Sequence, residues 1–203
     1  MPRHAVLTVG STAFTPLVHA FLSPPSLAAL SSLGIATALA QVGTSVLPDD
    51  WEVGTQEAQG VRVEVVRFKS DIEDEVGRAD LVVSHAGAGS ILSFLRPLPA
   101  SSSSSAMSSV PSTTAPRSNT TKQPRQLLLV PNSTLMDSHQ SDLADEMRKK
   151  GWAVVCERPE DLPAALAGLA GETSEKDELE EPKYPPLDEN RVQRILDETL
   201  GYV

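Results

Sequence analysis

Three short polar stretches of the sequence hold residue types that could bind an anion or a sugar. They are Gly10-Ser11, the small-residue stretch from Ser84 to Ser90, and the stretch from Asp137 to Gln140. Each stretch follows an apolar run and precedes a segment that can form a helix. Free N–H groups at the start of a helix, together with the positive end of the helix dipole, bind phosphate groups. The carboxylate, imidazole and amide of the third stretch could bind the hydroxyl groups of a sugar.

The central stretch reads Ser84-His85-Ala86-Gly87-Ala88-Gly89-Ser90. The apolar run Ala79–Val83 before it is typical of a buried strand, and Ile91–Leu95 after it can be helical. Glycine has no Cβ, so this turn lets the backbone approach a ligand closely. Taken alone, the same turn is equally consistent with tight packing of a helix on a sheet, because Gly-rich turns are common.

The positions of the three stretches favour a shared binding site. Ala5–Val9, Ala79–Val83 and Gln126–Val130 are predicted strands, and a polar stretch follows each of them. Ligands of parallel α/β sheets bind at the carboxyl ends of the strands. We therefore expect the three loops to line one crevice, where a ligand with both phosphate and polyol parts, such as a nucleotide sugar, would fit.

The order of the other elements predicts the fold class. Strands and helices alternate along the chain, which predicts a Rossmann-like, open, mostly parallel sheet with helices on both faces. Further strands are predicted at Thr44–Leu47, Val61–Phe68 and Ala153–Cys156, and helices near Thr15–Leu22, at Leu27–Gln41, Asp71–Gly77 and Pro159–Leu169, and before Gly151. Residues 48–60 are predicted to be a surface connection.

Composition divides the chain into four parts. Residues 1–96 and 125–171 are predicted to form one Rossmann-like domain, and the Ser-rich insertion 97–124 is predicted to be disordered because it has almost no apolar residues. Residues 172–186 are expected to be an acidic linker. Residues 187–203 are expected to form an amphipathic helix, which would pack on its own sheet or on a partner. Its apolar face consists of Val192, Ile195, Leu196 and Leu200.

The composition, the net charge and the absence of certain known motifs disfavour several classes of function. With 203 residues, a net charge of −10 and 4% aromatic residues, the chain lacks the basic face of a nucleic-acid-binding protein. The four histidines have no metal-ligand spacing, so no metal site is expected. The sequence contains no P-loop, no G-x-G-x-x-G and no G-x-S-x-G motif. Cys156, the single cysteine, is expected to be a buried thiol in a reducing compartment.

The N-terminal residues do not have the pattern of a signal peptide. No apolar run approaches the roughly 18 residues that span a bilayer. We therefore expect a protein that is soluble or held at a membrane by a partner.

Three motifs together resemble a known family. They are Val9-Gly10-Ser11-Thr12, the stretch from Ala79 to Ser90, and Leu135-Met136-Asp137-Ser138-His139-Gln140. They resemble the catalytic subunit of the eukaryotic UDP-N-acetylglucosamine transferase of lipid-linked oligosaccharide synthesis, a family similar to the C-terminal half of bacterial MurG, a GT-B glycosyltransferase. The resemblance covers most of the chain outside the Ser-rich insertion.

The resemblance implies a donor-binding half-enzyme without a cofactor. It implies pairing with a membrane-anchored, acceptor-binding subunit at the cytosolic face of the endoplasmic reticulum, with some of the protein in the cytosol. The pair would transfer GlcNAc from UDP-GlcNAc to GlcNAc-diphosphate-dolichol through an inverting, β1,4-forming reaction. The apolar face of the C-terminal helix is the candidate contact with that subunit.

The resemblance also implies roles for individual residues. The donor-site residues that it implies are Gly10 and Ser11 beside the diphosphate, Phe68 near the uracil, Ala88, Gly89 and Ser90 at the phosphates, and Asp137, His139 and Gln140 at the GlcNAc. Ser93 stands where relatives typically have an acidic residue suited to the ribose hydroxyls. His85 is a candidate for a phosphate or sugar contact, whereas the catalytic base is expected on the partner.

Two other functions stay open on the sequence. Ser93 favours a nucleotide-sugar-binding or regulatory module that has lost catalysis, because a hydroxyl binds a ribose less strongly than a carboxylate does. Epimerisation of a nucleotide sugar on a related fold is less favoured, since it normally requires both halves of the fold in one chain.

Overall fold

A seven-stranded sheet organises the fold, and the computed structural model describes residues 3–95, 125–132 and 139–172. The strands are β1 (Arg3–Thr8), β2 (Ile35–Gln41), β3 (Gly54–Ala58), β4 (Val61–Val66), β5 (Leu81–Ser84), β6 (Gln126–Leu129) and β7 (Val154–Val155). The helices are α1 (Thr15–Leu22), α2 (Pro24–Ser32), α3 (Ile72–Arg78), α4 (Ala88–Leu95), α5 (His139–Lys149) and α6 (Leu162–Glu172), with a 3₁₀ turn at Pro159–Asp161.

The strand order is β3-β4-β2-β1-β5-β6-β7. Only the β3–β4 pair in the described sheet is antiparallel, and the remaining neighbours are parallel. This arrangement confirms the predicted Rossmann-like, mostly parallel sheet. Because the register places Thr8 opposite both Gln41 and Ser84, the carboxyl ends of β1, β2 and β5 lie level with one another.

The core lies on both faces of the sheet. Leu7 and Val83 face a cluster formed with α1, α2 and α6, whereas Val6 and Val82 face a cluster formed with α3, α4 and α5. Successive residues of a strand point to opposite faces of the sheet. The continuous apolar runs of β1 and β5 are therefore buried on both faces. The layered core fixes the strand ends, where the polar stretches follow.

The prediction of one helix over Leu27–Gln41 was wrong, because that segment divides into the end of α2 and the whole of β2. Gly34 adopts φ +74°, and its N–H donates to the carbonyl oxygen of Ser31 at 2.9 Å, which ends the helix. The alanines after it have high helix propensity. In β2, however, they lie between β1 and β4, and this tertiary environment overrides the intrinsic preference.

Two neighbouring predictions also need correction. Thr44–Leu47 is not a strand: it follows a turn at Gly43 (φ +54°), and Ser45 Oγ accepts a hydrogen bond from the N–H of Phe14 at 2.9 Å. Residues 48–60, predicted to be a connection, contain β3. That strand is mostly exposed at the edge of the sheet, so its sequence lacks the alternating apolar pattern of a half-buried strand.

Several predicted segments lie outside the described residues, namely the insertion 97–124, the acidic segment beyond Glu172 and the C-terminal helix 187–203. The longest described helices, α5 and α6, have 11 residues each. None of the helices in the described ranges combines the length and apolar character needed to cross a membrane.

Arg125, just before β6, connects the ends of two helices. Its Nε and Nη2 donate to the carbonyl oxygens of Ala79 and Val76, both at 2.9 Å, and its Nη1 donates to that of Phe94 at 3.3 Å. The guanidinium also lies 4.4 Å from the centre of the Phe94 ring. The last carbonyl groups of a helix lack intrahelical donors, so Arg125 satisfies such groups on α3 and α4 together.

We expect Arg125→Met to lower the free energy of unfolding by about 2 kcal/mol, because it removes charge-assisted hydrogen bonds and keeps the apolar stem. Chemical denaturation measures this change. Arg62→Met, at an exposed position of β4, is the matched control and should change stability by less than about 0.5 kcal/mol. Equal effects of the two substitutions would contradict the capping role.

Candidate functional site

An open cavity of about 280 Å³ lies at the carboxyl ends of the central strands. The turn after β1, the segment from β4 into α3, and the first turns of α4 form its walls. The lining residues are Thr8, Gly10, Ser11, Gln41, Phe68, Lys69, Ile72, Glu73, Val76, Gly89, Ser90 and Ser93. Of the predicted site residues, Gly10, Ser11, Phe68, Gly89, Ser90 and Ser93 are therefore brought together here.

The first turn of α4 offers free backbone donors to this cavity. The N–H of Ile91 donates to the carbonyl oxygen of Gly87 at 3.2 Å, and the amides of residues 88–90 donate no hydrogen bond to a described residue. A Cβ built on Gly89 would meet no atom within 4 Å, so open space lies in front of this residue. Free amides at a helix N-terminus with open space before them form a site for an anion. Ala88 begins the helix but does not line the cavity.

The turn after β1 forms the second wall. Gly10 has φ +66°, a conformation that favours glycine, and its N–H donates to Thr8 Oγ1 at 3.2 Å. Its carbonyl oxygen accepts a hydrogen bond from Gln41 Nε2 at 2.7 Å, so the carbonyl is bound from the β2 side. Ser11 is exposed on this turn and free to contact a ligand.

Thr8 and Gln41 form a polar floor that the sequence analysis missed. Both residues are buried, and Thr8 Oγ1 donates to Gln41 Oε1 at 2.6 Å. Gln41 Nε2 also donates to the carbonyl oxygen of Arg67 at 3.1 Å, which ties the end of β4 to the turn after β1. Gln41 was missed because its segment was assigned to a helix. The sequence signal that could have identified Gln41 is a polar residue at the end of an apolar run, just before the turn at Gly43.

His85 lies behind the two turns and does not line the cavity. Its side chain is 9% exposed, and Nδ1 lies 3.3 Å from the carbonyl oxygen of Thr8. Because a carbonyl only accepts, Nδ1 carries the proton in the neutral ring and donates this bond. A Cβ on Gly10 would lie 3.1 Å from His85 Cε1, and a Cβ on Gly87 would lie 2.5 Å from Nε2. The imidazole therefore fills the space between the two turns.

Burial lowers the pKa of His85 below its ordinary value of 6.5, and the hydrogen bond to the Thr8 carbonyl opposes this only in part. At pH values between the folded and unfolded pKa values of His85, the unfolded chain binds more protons than the folded chain does. The contribution of His85 to stability is therefore complete above pH 6.5 and declines as the pH falls through that value. We expect the denaturation midpoint of the wild type to fall more between pH 7.5 and 5.5 than that of His85→Asn. Parallel pH profiles of the two proteins would contradict this prediction.

The segment after β4 contributes an aromatic ring and two charged groups. The ring of Phe68 is 60% exposed at the cavity. Lys69 Nζ lies 3.4 Å from Glu75 Oε1 and 3.5 Å from Asp71 Oδ1. The hydrogen bond with Glu75 and the nearby carboxylates raise the pKa of Lys69, which stays protonated. Sequence reasoning missed Glu73, because which side of α3 faces the cavity depends on its packing against α4. It also missed Lys69, which lies in the irregular segment between β4 and α3, where no periodic pattern indicates which side chains face a cavity.

Ser93 lines the cavity one turn after Gly89. Its Oγ donates to the carbonyl oxygen of Gly89 at 2.9 Å, a hydrogen bond within α4. The hydroxyl proton is thereby used inside the helix, and only the oxygen lone pairs remain for a ligand.

The third predicted stretch is only partly described. Asp137 lies outside the described residues, and His139 begins α5. Gln140 Oε1 accepts a hydrogen bond from the N–H of Asn132 at 3.2 Å, so its side chain supports the loop after β6. Gln140 is not among the described residues that line the cavity. The role of this stretch toward a sugar stays a prediction.

Cys156 is buried, as expected from its apolar run. Burial raises the pKa of its thiol, and Sγ donates to the carbonyl oxygen of Arg158 at 2.9 Å. The thiol is therefore protonated at neutral pH.

Across residues 3–95, 125–132 and 139–172, no group of three or more His, Cys, Asp or Glu side chains could hold a metal ion.

The sequence is similar to glycosyltransferases. Residues 4–97 match the family model described as "Glycosyltransferase family 28 C-terminal domain". "UDP-N-acetylglucosamine transferase subunit ALG13" of Cryptococcus neoformans is 32% identical over 225 residues, which cover 99% of this chain and 98% of that protein. The protein of the same name from Homo sapiens is 29% identical over 151 residues, which cover 74% of this chain and 11% of the human protein.

Solved structures with the same architecture support the fold assignment. The NMR solution structure of ALG13 superimposes with a TM-score of 0.55 at 24% identity, over 97% of this chain and 96% of that one. The crystal structure of Acinetobacter baumannii MurG gives a TM-score of 0.52 at 18% identity, over 86% of this chain and 42% of that one. The described fold is thus that of a GT-B half-domain. With a relative 32% identical along almost its entire length, the chain belongs to the ALG13 family of UDP-N-acetylglucosamine transferase subunits.

Proposed function

We propose that this chain is the donor-binding subunit of a glycosyltransferase that moves GlcNAc from UDP-GlcNAc to GlcNAc-diphosphate-dolichol. The product would carry the second sugar of the N-glycan precursor in a β1,4 linkage, formed with inversion. The observation that carries the proposal is the cavity where the free amides of α4 lie beside the Gly10-Ser11 turn. The subunit name of the relatives supports the same reaction class.

The cavity suits a nucleoside diphosphate as the leaving group. Negative charge builds on the diphosphate as the bond to the sugar breaks, and fixed N–H groups with a helix dipole stabilise that charge without reorganising. The open space before Gly89 admits phosphate oxygens close to the backbone. The exposed ring of Phe68 offers a flat apolar surface to the uracil.

An inverting transfer also requires a base, which removes a proton from the acceptor hydroxyl as that hydroxyl attacks the anomeric carbon. This base would come from a membrane-anchored partner that binds the lipid acceptor, because the described fold corresponds to one half of a GT-B enzyme. The word "subunit" in the name of the relatives supports such a partner. The complex would work at the cytosolic face of the endoplasmic reticulum, where the partner holds this chain at the membrane.

Two assays test the proposal. Isothermal titration should give tight binding of UDP-GlcNAc and UDP to the full chain and weaker binding of UDP-glucose. Membranes that contain an anchor subunit, this chain and GlcNAc-diphosphate-dolichol should form a disaccharide-lipid, and neither subunit alone should do so. Failure to bind any of the three nucleotides would contradict the proposed donor site.

A binding or regulatory module without catalysis is the second candidate. The observation that favours it is Ser93, whose hydroxyl is already used within α4. This candidate would replace the first if the chain binds UDP-GlcNAc but forms no disaccharide-lipid in membranes where an active homologous subunit does.

A further inference from the structure

We propose that Glu73 binds the ribose hydroxyls of the donor nucleotide, an inference that rests on the proposed function. Among the described residues that line the cavity, Glu73 is the only one with a carboxylate. Its side chain is exposed, and it forms no ion pair or hydrogen bond with another described residue. The carboxylate is therefore available to a ligand.

The neighbouring charges leave this carboxylate uncompensated. Lys69, the cation that lines the same cavity, is held by Asp71 and Glu75. No cation among the described residues is paired with Glu73, so a phosphate group is not its suitable partner. A neutral part of the ligand with several hydroxyl groups is the suitable partner, because a carboxylate accepts charge-assisted hydrogen bonds at both oxygens.

The position of Glu73 in the cavity agrees with a ribose. Phe68, Ile72 and Glu73 belong to the wall formed by the segment after β4, whereas the free amides belong to α4. In a nucleoside diphosphate the ribose connects the base to the phosphates. A uracil against Phe68 and a diphosphate at Gly89 therefore place the ribose along the wall that carries Glu73.

Ser93 does not supply this function on the other helix. It lines the cavity from α4, but its hydroxyl donates to the carbonyl oxygen of Gly89 and carries no charge. The strongest acceptor for a ribose diol among the described residues of the cavity is thus on α3. In this cavity α3 carries the carboxylate of Glu73, whereas α4 carries the hydroxyl of Ser93.

Titration of UDP and of 2′,3′-dideoxy-UDP into the full chain tests the assignment. Glu73→Gln should weaken UDP binding about tenfold, because a charge-assisted pair is lost, and should leave binding of 2′,3′-dideoxy-UDP unchanged. Asp74→Asn is the matched control, since Asp74 is an exposed neighbour that does not line the cavity. It should leave the affinity for both nucleotides unchanged.

The outcomes separate this inference from the proposed function. Equal or tighter UDP binding by Glu73→Gln overturns the ribose contact while the donor site stands. The same conclusion follows if the wild type binds UDP and 2′,3′-dideoxy-UDP equally well. A wild type that binds neither nucleotide contradicts the proposed function itself, and the Glu73 assignment with it.

Discussion

Gly89→Asp is expected to fold normally and to bind UDP-GlcNAc at least about a hundredfold more weakly than the wild type. A new side chain at this position meets open space, so the substitution brings no steric conflict. An acidic residue in the first turn of a helix interacts favourably with the helix dipole, so α4 should be as stable as before. The carboxylate would, however, occupy the place of a phosphate group. At about 4 Å the repulsion between it and a diphosphate amounts to several kcal/mol.

Two variants at the same position separate charge from bulk. Gly89→Asn has nearly the same shape as Gly89→Asp without the charge and should lose much less affinity, and Gly89→Ala should bind almost as well as the wild type. Thermal denaturation establishes that all of them fold, and isothermal titration with UDP-GlcNAc gives the affinities. An aspartate variant that binds as tightly as the asparagine variant would show that no phosphate lies at the start of α4.

The sequence was sufficient to predict the centre of the sheet. β1 and β5 are buried on both faces, so their apolar runs are continuous, and each ends at glycine or small residues. The same reasoning placed Gly10 and Gly89 at one edge of the sheet, because parallel strands end together. The structure places both residues at the same cavity.

β2 could not be predicted in this way. Its three alanines and its leucine have a high helix propensity that only the contacts with β1 and β4 override, and these contacts involve residues distant in the sequence. Missing the strand also meant missing Gln41, whose amide binds Gly10 and Arg67 only because β2 ends beside β1. An error in one element thus removed a residue from the predicted site.

The wall formed by α3 was unpredictable for a different reason. The helix itself was predicted at Asp71–Gly77, and the structure contains it at Ile72–Arg78. Which of its side chains reaches the cavity depends on the angle at which α3 packs on α4, and a seven-residue helix has too few apolar positions to specify that angle. Glu73 therefore emerges as a site residue only in the folded structure.

Gly87→Ala is expected to lower the free energy of unfolding by about 3 kcal/mol, the upper range for an overpacked site. Its Cβ would lie 2.5 Å from His85 Nε2 and 2.7 Å from Cε1, far inside van der Waals contact. The imidazole has little room to retreat, because Nδ1 is bound to the Thr8 carbonyl and the ring already faces Gly10. Relief of the clash would move the turn after β1 or the start of α4, so binding of UDP-GlcNAc should weaken as well.

A double-mutant cycle tests whether the clash with His85 is the cause. In a His85→Ala background, Gly87→Ala should lower the free energy of unfolding by less than about 1 kcal/mol, because the smaller side chain makes room for the new methyl group. Gly168→Ala, which meets no atom within 4 Å in α6, is the control and should be neutral or slightly stabilising. Chemical denaturation gives all four free energies of the cycle. If Gly87→Ala destabilises both backgrounds equally, His85 does not hold the two turns apart, and their spacing must come from the strand register alone.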